Sequence, residues 1–176
     1  MIKLKAAELR TTRPSQKDLA KIKRREIYFI LEDVLDTYNV GGIFRLADAI
    51  GVKKIYLCGQ TETPPNSRIK KASINTTEWV AWEYKESASL AIKDLRSKVK
   101  NIQVVAVEQD EKSIPYTKIE YKIPLALAVG NETSGISKEV LRLCDKIAEI
   151  PMFGVNTSLN VIISLGIVSF WASGKE

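Results

Sequence analysis

The sequence predicts an α/β fold in which a mainly parallel sheet is flanked by helices. Apolar, strand-like runs alternate with helix-like segments from residue 26 onward, and this alternation is typical of a parallel sheet. One run, Leu125–Val129, is entirely apolar and is followed by Gly130, as expected of a central parallel strand. The chain has 176 residues, 45% of them hydrophobic, which is enough for one core. We expect a basic extension over residues 1–25 and one domain over residues 26–176.

The individual elements follow from hydrophobic spacing and from turn residues. The predicted strands are Glu26–Val34, Lys54–Cys58, Ile102–Val107, Leu125–Val129 and Lys146–Ile150. The predicted helices are Asn39–Ile50, Ser67–Ala72, Ser87–Lys98, Ser137–Cys144 and Ser158–Ala172. Gly51 is a suitable stop for the first of these helices, and Ser137 and Ser158 are suitable N-caps for the last two. Residues 108–122 are expected to form a polar connection.

The last predicted helix is apolar around almost its whole circumference. Residues 150–174 carry no charge, but a helix of fifteen residues rises only about 22 Å. That is short of a hydrocarbon core of about 30 Å, so we expect a buried helix and no membrane span. A helix that is apolar all round needs a cover on both sides. The sheet supplies one cover, and a second copy of the chain is the expected other, which predicts a homodimer.

The positive charge is concentrated at the N-terminus. The chain has 27 Lys and Arg against 21 Asp and Glu, but residues 31–176 hold 18 of each. The excess therefore lies in the first 30 residues. Such a segment is either a solvated basic face or a footprint for the phosphate backbone of a nucleic acid. The candidate RNA-contacting residues of this arm are Arg10, Arg13, Lys17, Lys21 and Arg24.

Several residue types are absent or sparse, and this excludes whole classes of chemistry. The chain has no histidine, so Ser-His-Asp and Cys-His nucleophile pairs and His-ligated zinc sites are impossible, and we expect no metal. Cys58 and Cys144 are far apart in sequence and are expected to be free and buried. The N-terminus has charges but no apolar core of a signal peptide, which predicts a cytoplasmic protein.

Three polar or glycine-rich clusters follow predicted strands, where open α/β sheets bind ligands. In the cluster at 39–45, Asn39 and two glycines begin a predicted helix whose N–H groups could attract an anion; an N-cap with a surface Arg45 is the alternative. The cluster at 130–135 is either a ligand loop or an ordinary turn, and it matches neither nucleotide-binding glycine motif. In the cluster at 150–160, Asn160 is expected to be a buried amide, which costs about 1–3 kcal/mol if unpaired.

Taken together and in this order, the clusters resemble the TrmH/SpoU branch of the SPOUT RNA methyltransferases. The matching segments are NVGGIFRLADAIG (39–51), LALAVGNETSGIS (125–137) and IPMFGVNTSLNVIISLGIVSFWA (150–172). The resemblance implies methyl transfer from S-adenosylmethionine to a ribose 2′-hydroxyl of tRNA or rRNA, with S-adenosylhomocysteine as product. It also implies a C-terminal trefoil (α/β) knot and a homodimer with the knot at its interface.

The resemblance also implies roles for particular residues. Its catalytic and substrate-side positions fall on Asn39, Arg45, Glu132, Ser158 and Asn160. Its cofactor contacts, largely made by backbone groups, fall near Val107, Gly130, Ile150, Met152 and Leu159. A guanidinium stays protonated in proteins. We therefore expect Arg45 to hold the phosphate beside the target sugar and to favour loss of the hydroxyl proton electrostatically.

Other functions fit part of the pattern. One alternative is a catalytically inactive RNA-binding member of the same fold, and another is methylation of a base, such as N1 of guanine. The intact set of motif residues argues against the first, and the segment Ser158–Asn160 together with Arg45 favours ribose over base. A small-molecule enzyme would leave the basic arm without a purpose.

Overall fold

A computed structural model describes residues 5–174 and contains a sheet of seven parallel strands. The strands are β1 (Arg25–Glu32), β2 (Val52–Cys58), β3 (Trp82–Lys85), β4 (Gln103–Val107), β5 (Ile114–Pro115), β6 (Leu125–Val129) and β7 (Lys146–Glu149). Their order across the sheet is β3-β2-β1-β6-β4-β7-β5. The predicted α/β class is confirmed.

Seven α-helices surround this sheet within the described residues. They are α1 (Ala6–Thr11), α2 (Gln16–Leu19), α3 (Thr37–Ile50), α4 (Ser67–Ser73), α5 (Ala88–Lys98), α6 (Lys138–Leu143) and α7 (Val161–Ser173). Short 3₁₀ turns occur at Thr76–Glu78 and Tyr116–Lys118. No helix in this part of the chain has the length and apolarity needed to cross a membrane.

Alternation along the central strands produces two cores, one on each face of the sheet. In β1, Phe29 and Leu31 pack with α3, α4 and α7, whereas Tyr28 and Ile30 pack with α5 and α6. Strand β6 is completely buried between β1 and β4, as its uniformly apolar composition predicts.

Two glycines of α3 allow neighbouring helices to approach closely. A Cβ on Gly41 would lie 2.5 Å from the Ala72 Cβ and 2.8 Å from the Ile69 carbonyl oxygen of α4. A Cβ on Gly42 would collide with the Ile162 side chain of α7. Helix α3, which carries the first polar cluster, is therefore held between the other two helices.

The predicted start of α3 is wrong. The helix begins at Thr37 because Asp36 is its N-cap and accepts a hydrogen bond from the Tyr38 N–H. Gly41 and Gly42 thus lie in the second turn, where backbone N–H groups are already paired within the helix. The two glycines cannot form the anion site that the sequence suggested, and their role is close packing.

The structure adds elements that the sequence pattern did not predict. Strand β3 forms one edge of the sheet, and the two-residue strand β5 lies inside the expected polar connection at the other edge. Cys58 and Cys144 are free, as predicted, although Cys144 is only partly buried. Burial raises the pKa of both thiols to about 12, so neither is a reactive thiolate at neutral pH.

Candidate active site

The three polar clusters meet at the carboxyl edge of the sheet. The loops after β1, β6 and β7 converge there on the first turns of α3 and α7, because parallel strands end on the same side. The loop after β4 reaches the same place, where the Gln109 side chain donates a hydrogen bond to the Thr157 carbonyl oxygen. Residues far apart in sequence thus form one site.

A chain of side-chain hydrogen bonds joins the three clusters directly. Asn39 Nδ2 donates to Glu132 Oε1 at 2.9 Å, and Asn160 Nδ2 donates to Asn39 Oδ1 at 3.0 Å. Asn39 is buried, with 5% of its surface exposed, so its amide needs these partners. Asn39 therefore links the loop after β6 to the start of α7.

Glu132 is the acceptor around which this chain is built. Its Oε1 also accepts from the Asp36 N–H and its Oε2 from the Leu35 N–H, both at 3.1 Å. Partial burial raises the pKa of Glu132, but hydrogen bonds from Asn39 and from backbone N–H groups outweigh it and leave the pKa below its ordinary value. The carboxylate is ionised at neutral pH and fixes the turn that leads into α3.

The expected environment of Asn160 is wrong, and so is the expected cap of the last helix. Asn160 is exposed and is itself the N-cap of α7, because its side chain accepts from the Ile162 N–H at 2.9 Å. Ser158 lies outside the helix, exposed, with its N–H bonded to Asn156 Oδ1. The Asn160 amide thus caps α7 with its oxygen and binds Asn39 with its nitrogen.

Two adjoining cavities lie beside this hydrogen-bond chain. Their volumes are about 180 and 320 Å³, and they share Val107, Leu159 and Ser158 among their lining residues. The five residues expected to contact a cofactor all line one or both cavities: Val107, Gly130, Ile150, Met152 and Leu159. Glu132, Ser158 and Asn160 line the larger one.

Glu108, which none of the three sequence motifs contains, also lines both cavities. Its Oε2 accepts from the Ile136 N–H and its Oε1 from the Gln109 N–H, at 2.9 and 2.8 Å. A Cβ on Gly135, where φ is +68°, would collide with this carboxylate, so the glycine makes room for it. Its position directly after a predicted strand was the available signal. Glu108 and Glu132 are the charged groups among the described lining residues.

Arg45 lies on the exposed surface of α3, one and two-thirds turns beyond Asn39. Its side chain makes no hydrogen bond or ion pair with the described residues 5–174. It lines neither of the two cavities, although it shares a helix with the buried Asn39. Its guanidinium is available to an external anion.

The basic arm is docked on the domain. Arg13 Nε lies 2.9 Å from Glu78, while Arg24 Nη2 lies 3.3 Å from both Asp48 Oδ1 and the Trp79 carbonyl oxygen. Arg24 is thus largely engaged in an internal contact, unlike the exposed Lys17 and Lys21. The side chain of Arg10 lies outside what the structure describes.

The fold is similar to solved structures of RNA-modifying enzymes. The crystal structure of the Aquifex aeolicus TrmH/SpoU tRNA modifying enzyme matches with a TM-score of 0.79 and 25% identity, over 97% of this chain and 81% of that one. An AdoMet-bound rRNA methyltransferase from Sinorhizobium meliloti matches with a TM-score of 0.76 and 30% identity, over 93% of this chain and 59% of that one. The fold and its clustered loops define the class as SpoU/TrmH-type RNA methyltransferases.

Sequence comparison leads to the same family. The chain is 29% identical over 164 residues to the tRNA (guanosine(18)-2′-O)-methyltransferase of Aquifex aeolicus, covering 91% of this chain and 74% of the relative. The SpoU rRNA Methylase family matches residues 26–170, and the chain belongs to that family. The resemblance found in the three motifs is confirmed, and residues 1–25 lie outside the matched range.

Proposed function

We propose that this chain transfers the methyl group of S-adenosylmethionine to a ribose 2′-hydroxyl of tRNA or rRNA. One observation carries the proposal. The Glu132–Asn39–Asn160 hydrogen-bond chain lies beside the two cavities, and all five residues expected to contact the cofactor line those cavities. The names of the relatives support the reaction, since one is a tRNA ribose methyltransferase and another an AdoMet-bound rRNA methyltransferase.

The residues around the two cavities suit this cofactor. Ile150, Met152 and Leu159 offer apolar surface to an adenine ring. Glu108 and Glu132 supply negative charge facing the cavities, with no Lys or Arg among the described lining residues. S-adenosylmethionine carries a positive sulfonium, which such a lining stabilises. Glycine at 130 is required because a Cβ there would collide with the backbone of Gly135.

The protein's main task in this reaction is positioning. A sulfonium methyl group is already activated, so the rate depends on aligning a ribose oxygen for in-line displacement. Arg45 is exposed and uncommitted, which suits it to hold the phosphate next to the target sugar. Its helix is fixed at one end by Asn39 and Glu132. A displacement of the helix would move Arg45 relative to the cavities.

The proton of the 2′-hydroxyl has no strong protein base to accept it at this site. The chain has no histidine, and a guanidinium stays protonated. Glu132 is ionised, but its lowered pKa and its hydrogen bonds to Leu35, Asp36 and Asn39 make it a weak acceptor. The proton therefore passes to water or to phosphate, and the positive charge of Arg45 favours this loss by stabilising negative charge on the hydroxyl oxygen.

A homodimer and a C-terminal knot complete the proposal. Helix α7 buries Leu165 and Val168 against the sheet, whereas Ile163 and Phe170 on its other side are 52% and 57% exposed. Apolar side chains at this density on one helix face favour a protein partner, and a second copy satisfies the symmetry of a closed pair. The segment 150–160 between β7 and α7, which lines the cavities, is the part expected to thread the knot.

Incubation with S-adenosylmethionine labelled in its methyl group and unmodified total RNA tests the reaction. We expect label in RNA, mapped to alkali-resistant ribose positions, and S-adenosylhomocysteine in equal amount. Label on a base instead of a ribose would contradict the assigned acceptor. Cofactor binding in calorimetry without any transfer to tRNA or rRNA would instead support an inactive RNA-binding member.

Light scattering tests the assembly independently. Wild-type protein should have twice the mass of one chain, and Phe170→Glu should shift it towards a single chain. A wild-type monomer that still binds the cofactor would contradict the proposed seam.

A further inference from the structure

The docked arm and helix α4 form one continuous basic surface. Arg13 of the arm and Lys70 of α4 both face Glu78, at 2.9 and 3.7 Å. Asn75 Nδ2, just beyond α4, donates to the Leu9 carbonyl oxygen of α1 at 2.9 Å. The contact of Arg13 with Glu78 and that of Leu9 with Asn75 together hold the arm beside α4.

Helix α4 contributes positive charge in addition to that of the arm. Its seven residues include Arg68, Lys70 and Lys71, all exposed, and no acidic residue. Ile69 and Ser73 are buried on its opposite side, against α3. Packing therefore orients the three cations outward. Glu78 pairs with Arg13 and Lys70, whereas Arg68 and Lys71 have no ion pair among the described residues.

A cavity of about 480 Å³ opens within this surface. Its apolar walls are Trp82, at the sheet edge, and the adjacent Pro64 and Pro65. The polar groups of the lining come from Asn66, Ser67, Lys70, Thr77 and Glu78. Trp82 is partly exposed, so an indole surface is available to a ligand. The proposed methyl-transfer site does not use this cavity, whose lining shares no residue with the two described above.

We propose that this cavity receives an unstacked nucleobase of the RNA substrate, while Arg68, Lys70 and Lys71 contact its phosphates. Single-stranded RNA is recognised by stacking of splayed bases on aromatic rings next to a positively charged track. The combination of Trp82, two prolines and adjacent cations meets both requirements. Charge complementarity favours RNA over a protein partner, which would need an acidic surface of its own. The proposal rests on RNA being the substrate and adds a second contact point away from Arg45.

Photo-crosslinking locates the contact. An unmodified tRNA transcript containing 4-thiouridine is irradiated with the wild-type protein, and cross-linked peptides are mapped. We expect cross-links between residues 64 and 82. Cross-links confined to the carboxyl edge of the sheet or to the arm would overturn the proposal.

Two variants measure the stacking and the charge separately. Trp82→Leu should weaken RNA affinity at least about fivefold, as expected for loss of one stacked base. The double variant Arg68→Gln/Lys71→Gln should lower the slope of log affinity against log salt by about 1.4, since each single-strand phosphate contact contributes about 0.7. The matched control, Lys93→Gln/Lys100→Gln, removes two exposed cations around α5, on the other face of the sheet.

Cofactor affinity is measured for every protein, so that misfolding and loss of the surface are distinguished. Unchanged RNA affinity and salt slope in both variants, with a wild type that methylates RNA, would overturn this surface and leave the proposed reaction intact. RNA binding that depends on the surface, in a wild type that transfers no methyl group, supports the surface and contradicts the proposed reaction.

Discussion

Replacing Glu132 by Gln tests whether this carboxylate holds the candidate active site together. Gln has the same shape, and one oxygen can still accept from Asn39 and Asp36. Its amide nitrogen, however, replaces Oε2 and faces the Leu35 N–H, so two donors meet. Hydrogen bonds to a charged acceptor contribute about 1.5–3 kcal/mol each, but Glu132 is exposed and water replaces part of the loss. We expect a free energy of unfolding about 1–2 kcal/mol lower than that of the wild type.

The difference in the free energy of unfolding between the wild type and Glu132→Gln should depend on pH in a defined direction. The pKa of Glu132 in the folded protein lies below its ordinary value of 4.5. The unfolded state therefore binds the proton more readily, and stabilisation by this group is present above about pH 4.5 and lost as the pH falls below it. Other carboxylates with lowered pKa values, such as Glu83 and Asp94, are common to both proteins and cancel in the difference.

Urea unfolding followed by circular dichroism at several pH values between 7 and 3 provides the measurement. The wild type should be more stable than Glu132→Gln at pH 7, and the two curves should converge as Glu132 is protonated. Glu111→Gln is the control, because Glu111 is exposed and has no hydrogen bond or ion pair among the described residues. A difference in the free energy of unfolding between wild type and Glu132→Gln that stays constant across this pH range would refute the reasoning.

Three further predictions concern other parts of the site. Arg45→Lys keeps the positive charge but loses the planar guanidinium that can form two parallel hydrogen bonds to a phosphate. The rate of methyl transfer should therefore fall at least about tenfold, while cofactor affinity in calorimetry stays unchanged. A turnover equal to that of the wild type would show that Arg45 does not hold the phosphate. Glu108→Gln should weaken S-adenosylmethionine binding severalfold, and Glu111→Gln should leave it unaltered. Gly41→Ala, whose Cβ meets the backbone of α4, should lower the free energy of unfolding by about 1–3 kcal/mol. At Gly154 the space is open, so Ala there should not destabilise the protein.

The sequence predicted the central elements well and the edges poorly. Leu125–Val129 was correct to the residue because a strand buried on both faces must be apolar throughout. Strand β3 was missed because Trp82–Lys85 is an edge strand with polar residues and is only partly buried. The start of α7 was placed three residues too early, since both Ser158 and Asn160 are good capping residues by type. The contacts of Asn160 with the Ile162 N–H and with Asn39 distinguish the two.

The basic arm, residues 1–25, shows a similar division between what sequence and structure determine. Its excess of positive charge is plain in the sequence, because charge is a sum over residues and needs no coordinates. Which of these cations remain available depends on what the arm packs against. Arg24 is used to anchor the chain to Asp48, and Arg13 pairs with Glu78, whereas Lys17 stays exposed.

By itself the amino-acid sequence determined the α/β class, the family, the absence of histidine chemistry and the residues of three motifs. These follow from composition, from local periodicity and from ordered short segments. Tertiary structure alone decided that Asn39, Glu132 and Asn160 form a single hydrogen-bond chain, that Glu108 faces the cavities and that the arm lies beside α4. Such relations join residues up to 121 positions apart, and they arise only when parallel strands bring their ends to one edge.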